Sequence, residues 1–141
     1  MTRNRVAGVL LLDADGAALL QHRDDKPGLN HADRWVPPGG HANPGESIEA
    51  CARREFLEET AYVCDELHPL TRFDDRVGEV VVDLTMFWAR YDGRQPIECR
   101  EGQALKFVAR EDVAAYDIPA YLVDLWDAAA AASRSSAVGW D

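Results

Sequence analysis

Residues 37–62 read PPGGHANPGESIEACARREFLEETAY. Five glutamates, Glu46, Glu49, Glu55, Glu58 and Glu59, fall within fourteen residues, beside Arg53 and Arg54. The stretch begins as a turn and becomes a helix. Asn43, Pro44 and Gly45 are turn residues, Ser47 is able to cap, and Glu49 puts an acid in the first turn. A helix is predicted from Ser47 to about Thr60. At about 100° per residue, with Ile48 at zero, Glu58 falls near 280°, Glu55 near 340° and Glu59 near 20°. These three share an arc of roughly 100° with Cys51, Ile48 and Ala52, and Glu49 lies outside it. Like charges four apart, as at Glu55 and Glu59, cost a few tenths of a kcal/mol even in water. Arg54 stands four before Glu58, but no cation at that spacing offsets Glu55 or Glu59. Two readings fit the pattern: a solvated helix face, or a site for a hard divalent cation. Carboxylate oxygens suit Mg²⁺ or Mn²⁺ better than Zn²⁺.

Upstream of this segment, Val6–Leu12 is an apolar run suited to a buried strand. DADGA (13–17) is a turn and Ala18–Arg23 a second strand, so 6–23 reads as a hairpin. DDKPGLNHAD (24–33) is a polar loop long enough to carry function, and residues 34–36 form a short strand entering Pro37-Pro38-Gly39-Gly40. Downstream, Tyr62–Val63 and Leu67–Phe73 read as strand and DDRVGE (74–79) as a turn. Val80–Tyr91 is the strongest strand pattern. After a polar loop over 92–103, Ala104–Val108 is a short strand and REDVAAY a helical turn. Pro119 opens a last helix to about Ala132. Strands on both sides of a central helix, followed by a second helix, suggest an α/β fold with a mixed sheet packed between helices. The length of 141 residues suits one domain over 1–141, with 132–141 as a loose tail.

The net charge is 15 − 25 = −10, which argues against a duplex nucleic-acid partner. It leaves room for an anionic substrate, because bound cations invert the local field. No apolar run reaches the roughly 20 residues of a membrane helix. Asp13 and Asp15 come too early for a signal peptide, so a cytoplasmic location and no membrane partner are expected. Cys51, Cys64 and Cys99 form no metal-binding spacing and read as buried free thiols.

Gly40, then five residues, Glu46, then seven residues and REFLEETAY, resembles the Nudix box G-x5-E-x7-R-E-U-x-E-E-x-G-U, where U is a bulky apolar residue. Gly40, Glu46, Arg54, Glu55, Phe56, Glu58 and Glu59 occupy its fixed positions. Ala61 stands in place of the last Gly, and Tyr62 fills the final apolar slot. WVPPGG (35–40) resembles the family's lead-in to the box. EGQ (101–103), followed by a short strand and REDV, resembles the segment where MutT-like members place a further metal-binding Glu. The resemblance implies a Nudix fold, an α/β/α sandwich with a mixed central sheet and a loop–helix–loop box.

It further implies Mg²⁺, with Mn²⁺ as the alternative, held by Glu55, Glu58, Glu59, Glu101 and the backbone carbonyl of Gly39. Glu98 is the second candidate for the role of Glu101. Arg54 would pair with Glu46 and fix the loop on the helix. The implied reaction is hydrolysis of a diphosphate linkage in a nucleoside diphosphate derivative, either a nucleoside triphosphate or a nucleotide sugar. Glu55 is the favoured base, with Glu101 or Glu58 as alternatives. Arg23, Arg76, Trp35 and His41 are the candidates for contact with this small-molecule substrate, and His31 and Asp33 are further candidates for its base or sugar. YDIPAY (116–121) falls where MutT-like enzymes carry a purine-reading Asn, and this chain has Ala120 and Tyr121 there. Homodimers are common in the family. The rival readings are a catalytically silent nucleotide-binding regulatory module and an isopentenyl-diphosphate-isomerase-like enzyme. The first would be expected to lose box carboxylates, and the second relies on a catalytic Cys that Cys51, on the helix, does not match.

Overall fold

The first strand, β1 (Arg5–Leu12), is buried on both faces. Ala7, Val9 and Leu11 join one apolar cluster, and Leu10 and Leu12 join another on the opposite side. A strand covered on both faces needs a continuous apolar run rather than alternation, which is what VAGVLLL supplies. The computed structural model describes residues 4–29, 31–77 and 79–135. The remaining strands are β2 (Ala18–His22), β3 (Trp35–Val36), β4 (Gly39–His41), β5 (His68–Val77), β6 (Val80–Arg90) and β7 (Ala104–Val108). Helix α1 spans Ile48–Thr60 and α2 spans Ala120–Ser135, with a 3₁₀ segment at Arg110–Ala115.

The strands form one mixed sheet in the order β3-β2-β1-β6-β5, with β4 also on β1 and β7 also on β2. β1 and β6 run parallel, and the other pairs are antiparallel. Phe56 of α1 packs in the first cluster, and Leu122, Trp126 and Ala129 of α2 pack in the second. The sheet is therefore flanked by a helix on each face, as the strand and helix order predicts.

The hairpin expected over 6–23 exists only at its turn. β1 and β2 pair at Leu12↔Ala18 and then separate. Beyond that point β1 takes β4 as its neighbour, with Gly8 opposite Gly39, while β2 takes β3 and β7. The separation opens the sheet beside β4.

Three other expectations change. Residues 74–77, read as turn, continue β5 and pair with β6 through Asp75↔Val82 and Arg76↔Val81. β5 is an edge strand, where charged side chains are tolerated. Tyr62–Val63 is irregular rather than strand. The last helix runs to Ser135, with Ser133 buried and its carbonyl accepting from Arg90 Nη2 at 2.9 Å. Residues 132–135 are therefore helix, and the rest of the expected tail lies outside the described residues. Cys51 and Cys64 are buried free thiols as expected, but Cys99 is exposed. No helix among the described residues is long and apolar enough to cross a membrane.

Candidate active site

Helix α1 starts where the capping pattern places it. Ser47 is the N-cap, and its Oγ accepts from the Ala50 amide at 3.1 Å. At the other end Ala61 adopts a left-handed conformation, φ 66°, and its N–H donates to the Leu57 carbonyl. This is the conformation that favours Gly at a helix exit, so the box position filled by Ala61 carries a real backbone demand. The segment after β6 docks on the same end: Glu98 N–H donates to the Thr60 carbonyl at 2.9 Å and Arg100 N–H to that of Glu59 at 3.0 Å. Carbonyls left over at the helix terminus thereby fix the loop that carries Glu101. The loop is tied to β2 as well. Gln21 Nε2 donates to the Glu101 carbonyl at 3.1 Å, and Gln103 N–H donates to that of His22 at 2.7 Å.

Arg54 organises the turn before α1. Its guanidinium makes a two-pronged contact with Glu46, Nε to Oε2 at 2.8 Å and Nη2 to Oε1 at 2.9 Å. It also donates to Glu55 Oε1 at 2.8 Å and to the His41 carbonyl at 3.0 Å. Bidentate geometry of this kind is specific to Arg. With the Asn43 amide as a second donor, it pulls the Glu46 carboxyl down to about 2.

Two glycines let β4 press against its neighbours. A Cβ on Gly39 would collide with the Ala7 carbonyl, and one on Gly40 with the Glu55 carboxylate. Gly39 N–H donates to Glu59 Oε2 at 2.8 Å. Glu59 is only 5% exposed. Burial first, and then the charge of Glu101, push its carboxyl up to about 8 against the opposing Gly39 hydrogen bond. Glu55 adds to the same repulsion.

These groups face a cavity of about 460 Å³. Gly39, Gly40, His41, Glu55, Glu59 and Glu101 line it on the α1–β4 side. Arg23, Lys26 and His31 enter from the loop after β2, Asp75 from β5 and Tyr121 from α2, over an apolar wall of Val82, Leu84 and Met86. Arg23 Nε is buried and has no hydrogen-bond partner among the described residues.

Seven of the predicted residues therefore reach the cavity: Gly39, Glu55, Glu59, Glu101, Arg23, His41 and His31. Glu46 and Arg54 stand behind it and hold the loop. Glu58 is on the expected helix arc, but its side chain is 57% exposed and bound by Arg54 at 3.3 Å. Arg76 points away from the cavity, because side chains alternate along a strand and its neighbour Asp75 takes the inward position. Trp35 is also outside. Its ring stacks on His22 at 4.7 Å and meets Tyr116 edge-on. Of the two loop candidates, His31 lines the cavity, and Asp33 binds His22 at 2.8 Å instead. Glu98 pairs with Arg100 at 2.9 Å, away from the cavity. The polar residues missed in the sequence are Gln21, Asp24, Lys26 and Asp75, and Tyr121 is marked there only as standing where a purine-reading Asn is expected. Of the first four only Gln21 left a signal, a single polar residue continuing the apolar run ALLQ.

Among the described residues, no three His, Cys, Asp or Glu side chains are close enough to hold one ion as they stand. The chemistry of the set nevertheless fits a hard divalent cation. All its donors are oxygens, and mutual repulsion at Glu59, Glu101 and Glu55 is what a cation would offset.

The NUDIX domain pattern matches residues 2–126. The nucleoside triphosphatase NudI of Escherichia fergusonii is 31% identical over 127 residues, covering 82% of this chain and 89% of NudI. A putative 8-oxo-dGTP diphosphatase of Bacillus subtilis is 45% identical over 56 residues, 40% of this chain and 34% of that protein. The present chain thus spans about a third of the length of that second relative. The crystal structure of a MutT protein from Methanosarcina mazei Go1 superposes with a TM-score of 0.77 over 95% of this chain and 96% of that one, at 22% identity. The pattern match, together with the identity to NudI across most of both chains, means that the chain belongs to the Nudix hydrolase family.

Proposed function

We propose that the chain hydrolyses a diphosphate linkage in a nucleoside triphosphate, with Mg²⁺ as its cofactor. One observation carries the reading: Glu55, Glu59 and Glu101 share a cavity with Arg23, whose buried Nε lacks a partner among the described residues. A phosphate oxygen supplies that partner, and an unpaired buried guanidinium N–H is costly without one. The names of NudI and of the Bacillus relative point to the same substrate class.

In this reading Glu55, Glu59, Glu101 and the Gly39 carbonyl would hold the cation, joined by Glu58 once its carboxylate turns inward from Arg54. When bound, the cation offsets phosphate charge in the ground and transition states. Arg23 orients the phosphate chain. Glu55 has one carboxylate oxygen on Arg54, which leaves the other to take a proton from the attacking water. Water oxygen bonds to phosphorus, the bridging P–O bond breaks, and the leaving phosphate or diphosphate departs with its electron pair. Arg54 does not touch substrate. It positions Glu55 and, through Glu46 and the His41 carbonyl, the β4 turn.

The test is a panel of nucleoside triphosphates, nucleotide sugars and dinucleotides with Mg²⁺, scored by release of phosphate, diphosphate and nucleoside monophosphate. Triphosphates are expected to turn over, and Glu55→Gln and Glu58→Gln each to lose at least about a hundredfold in kcat. Full activity in Glu58→Gln, or tight binding of nucleotides by the wild type without turnover, overturns the reading. The second outcome favours a regulatory module.

A further inference from the structure

The far wall of the cavity carries a polar constellation that hydrolysis does not use. His31 Nε2 lies 2.9 Å from Asp75 Oδ2, joining the loop after β2 to the edge strand β5. Both side chains are only 12% exposed. Arg34 Nη1 lies 3.2 Å from His31 Nδ1, and Arg34 Nε donates to Asp117 at 3.2 Å. A guanidinium has only donors, so Nδ1 accepts and the ring proton sits on Nε2, facing Asp75. The imidazole therefore donates to Asp75, and one carboxylate oxygen is occupied. The other, Oδ1, has no hydrogen bond among the described residues, and Asp75 lines the cavity.

His31 is held at φ 53° and Asp33 at φ 62°, unusual backbone for non-glycine residues. The Tyr121 ring meets both His31 at 6.2 Å and Phe73 at 5.0 Å edge-on, packing the constellation from the α2 side. The position of Asp75 matters. β4, β1, β6 and β5 are consecutive neighbours. Through Gly8 and Met86, Gly39 is level with Thr71 of β5, so Asp75 lies three strand spacings across and four residues along, ~19 Å away. Val82 is the cross-strand partner of Asp75, and Val82, Leu84 and Met86 line the span between. This is a flat apolar bed for an aromatic base, with phosphate groups at one end and a fixed hydrogen-bond acceptor at the other.

We propose that Asp75 reads the base. Its free oxygen accepts from an exocyclic amino group, and His31 is the positioning residue that holds the acceptor in place. The preferred substrates are nucleotides with an amino-bearing base, and a base that presents a carbonyl at the same place meets like-signed oxygen. The inference rests on the triphosphatase reading above.

Matched pairs test it: CTP against UTP and ATP against ITP, each differing by amino versus oxo. The wild type is expected to favour the amino member of at least one pair by about 10–100-fold in kcat/KM. In Asp75→Asn, the amide oxygen takes the His31 N–H and the amide NH₂ faces the base, so the preference inverts toward the oxo member. In His31→Ala, discrimination falls toward unity through KM while kcat for the better substrate holds. Calorimetric binding of the corresponding monophosphates reads the same preferences without turnover, so failure of hydrolysis is separable from failure of base reading. Thermal unfolding confirms that each variant folds, and His31→Ala carries the test where Asp75→Asn does not. Wild-type ratios within about threefold in both pairs, or equal losses for both members in Asp75→Asn, overturn the proposal.

Discussion

Glu59 stands where burial and neighbouring charge act in the same direction. Its carboxyl titrates near 8 in the folded chain and near 4.5 when unfolded. The folded state therefore holds a proton that the unfolded state releases, and stability falls as pH rises from about 4.5 through about 8. Glu46 acts in the opposite sense. Lowered to about 2 by Arg54, it contributes stability above about 4.5 that is lost as pH falls toward 2. In chelator-treated protein, calorimetric unfolding between pH 5 and 9 should show a decline of a few kcal/mol attributable to Glu59. Glu59→Gln keeps an acceptor for the Gly39 N–H and removes the charge. It should flatten that decline and leave the variant more stable than the wild type at pH 8.5, while hydrolysis is lost. An unchanged pH slope in the variant would show that Glu59 is not the buried acid responsible. At this scale the sequence carried partial information. The wheel puts Glu55, Glu58 and Glu59 on one arc, yet it cannot show that Arg54, one turn before Glu58, draws that carboxylate outward. Nor does spacing decide between Asp75 and Arg76, because which of two neighbours faces inward depends on how β5 pairs with β6.

At the scale of elements, α1 was legible because its cap, its first-turn acid and its box spacing agree. β4 was not, because Pro-Pro-Gly-Gly is written in turn residues and becomes a strand only when β1 offers it an edge. Two consequences are measurable. Ala61 in left-handed backbone costs on the order of 1–2 kcal/mol, and a glycine there loses part of the gain to unfolded-state entropy. Ala61→Gly should thus stabilise the chain by about 0.5–1 kcal/mol, read as a higher urea midpoint at an unchanged m-value, with hydrolysis retained. The adjacent glycines should separate in phenotype. Gly39→Ala drives a Cβ into the Ala7 backbone, which cannot yield without breaking β1–β4, and the variant should lose several kcal/mol or fail to fold. In Gly40→Ala the nearest atoms to the new Cβ all belong to the Glu55 side chain, a movable group. This variant should fold with a stability loss of about 1–2 kcal/mol and lose activity by about a hundredfold or more. If the two variants are equally folded and equally active, the close packing of β4 has no functional role.

The whole molecule depends on the separation of β1 from β2. Were they paired along their length, β4 would have no place on β1, and the cavity between the α1 acids and Asp75 would be closed. The expected cation ligands consequently come from three segments distant in sequence: Gly39 on β4, Glu55, Glu58 and Glu59 on α1, and Glu101 on the loop before β7. Backbone bonds already tie these segments together, from Arg100 N–H to the Glu59 carbonyl and from Gln103 N–H to that of His22. Binding of Mg²⁺ should then stabilise the assembly as a unit. At a concentration of 100 Kd, mass action contributes about 2.7 kcal/mol to the folded state, which for a chain of this size raises Tm by several degrees. Hydrogen exchange should localise the effect. Added Mg²⁺ should slow the amides of Gly39, Glu98, Arg100 and Gln103 together, because opening any one of them disperses the shared ligands. Amides of β5 around Asp75, three strands away, should respond to nucleotide and not to Mg²⁺ alone. Protection of Gly39 without Arg100 and Gln103 would remove Glu101 from the cation site and return its role to the box carboxylates.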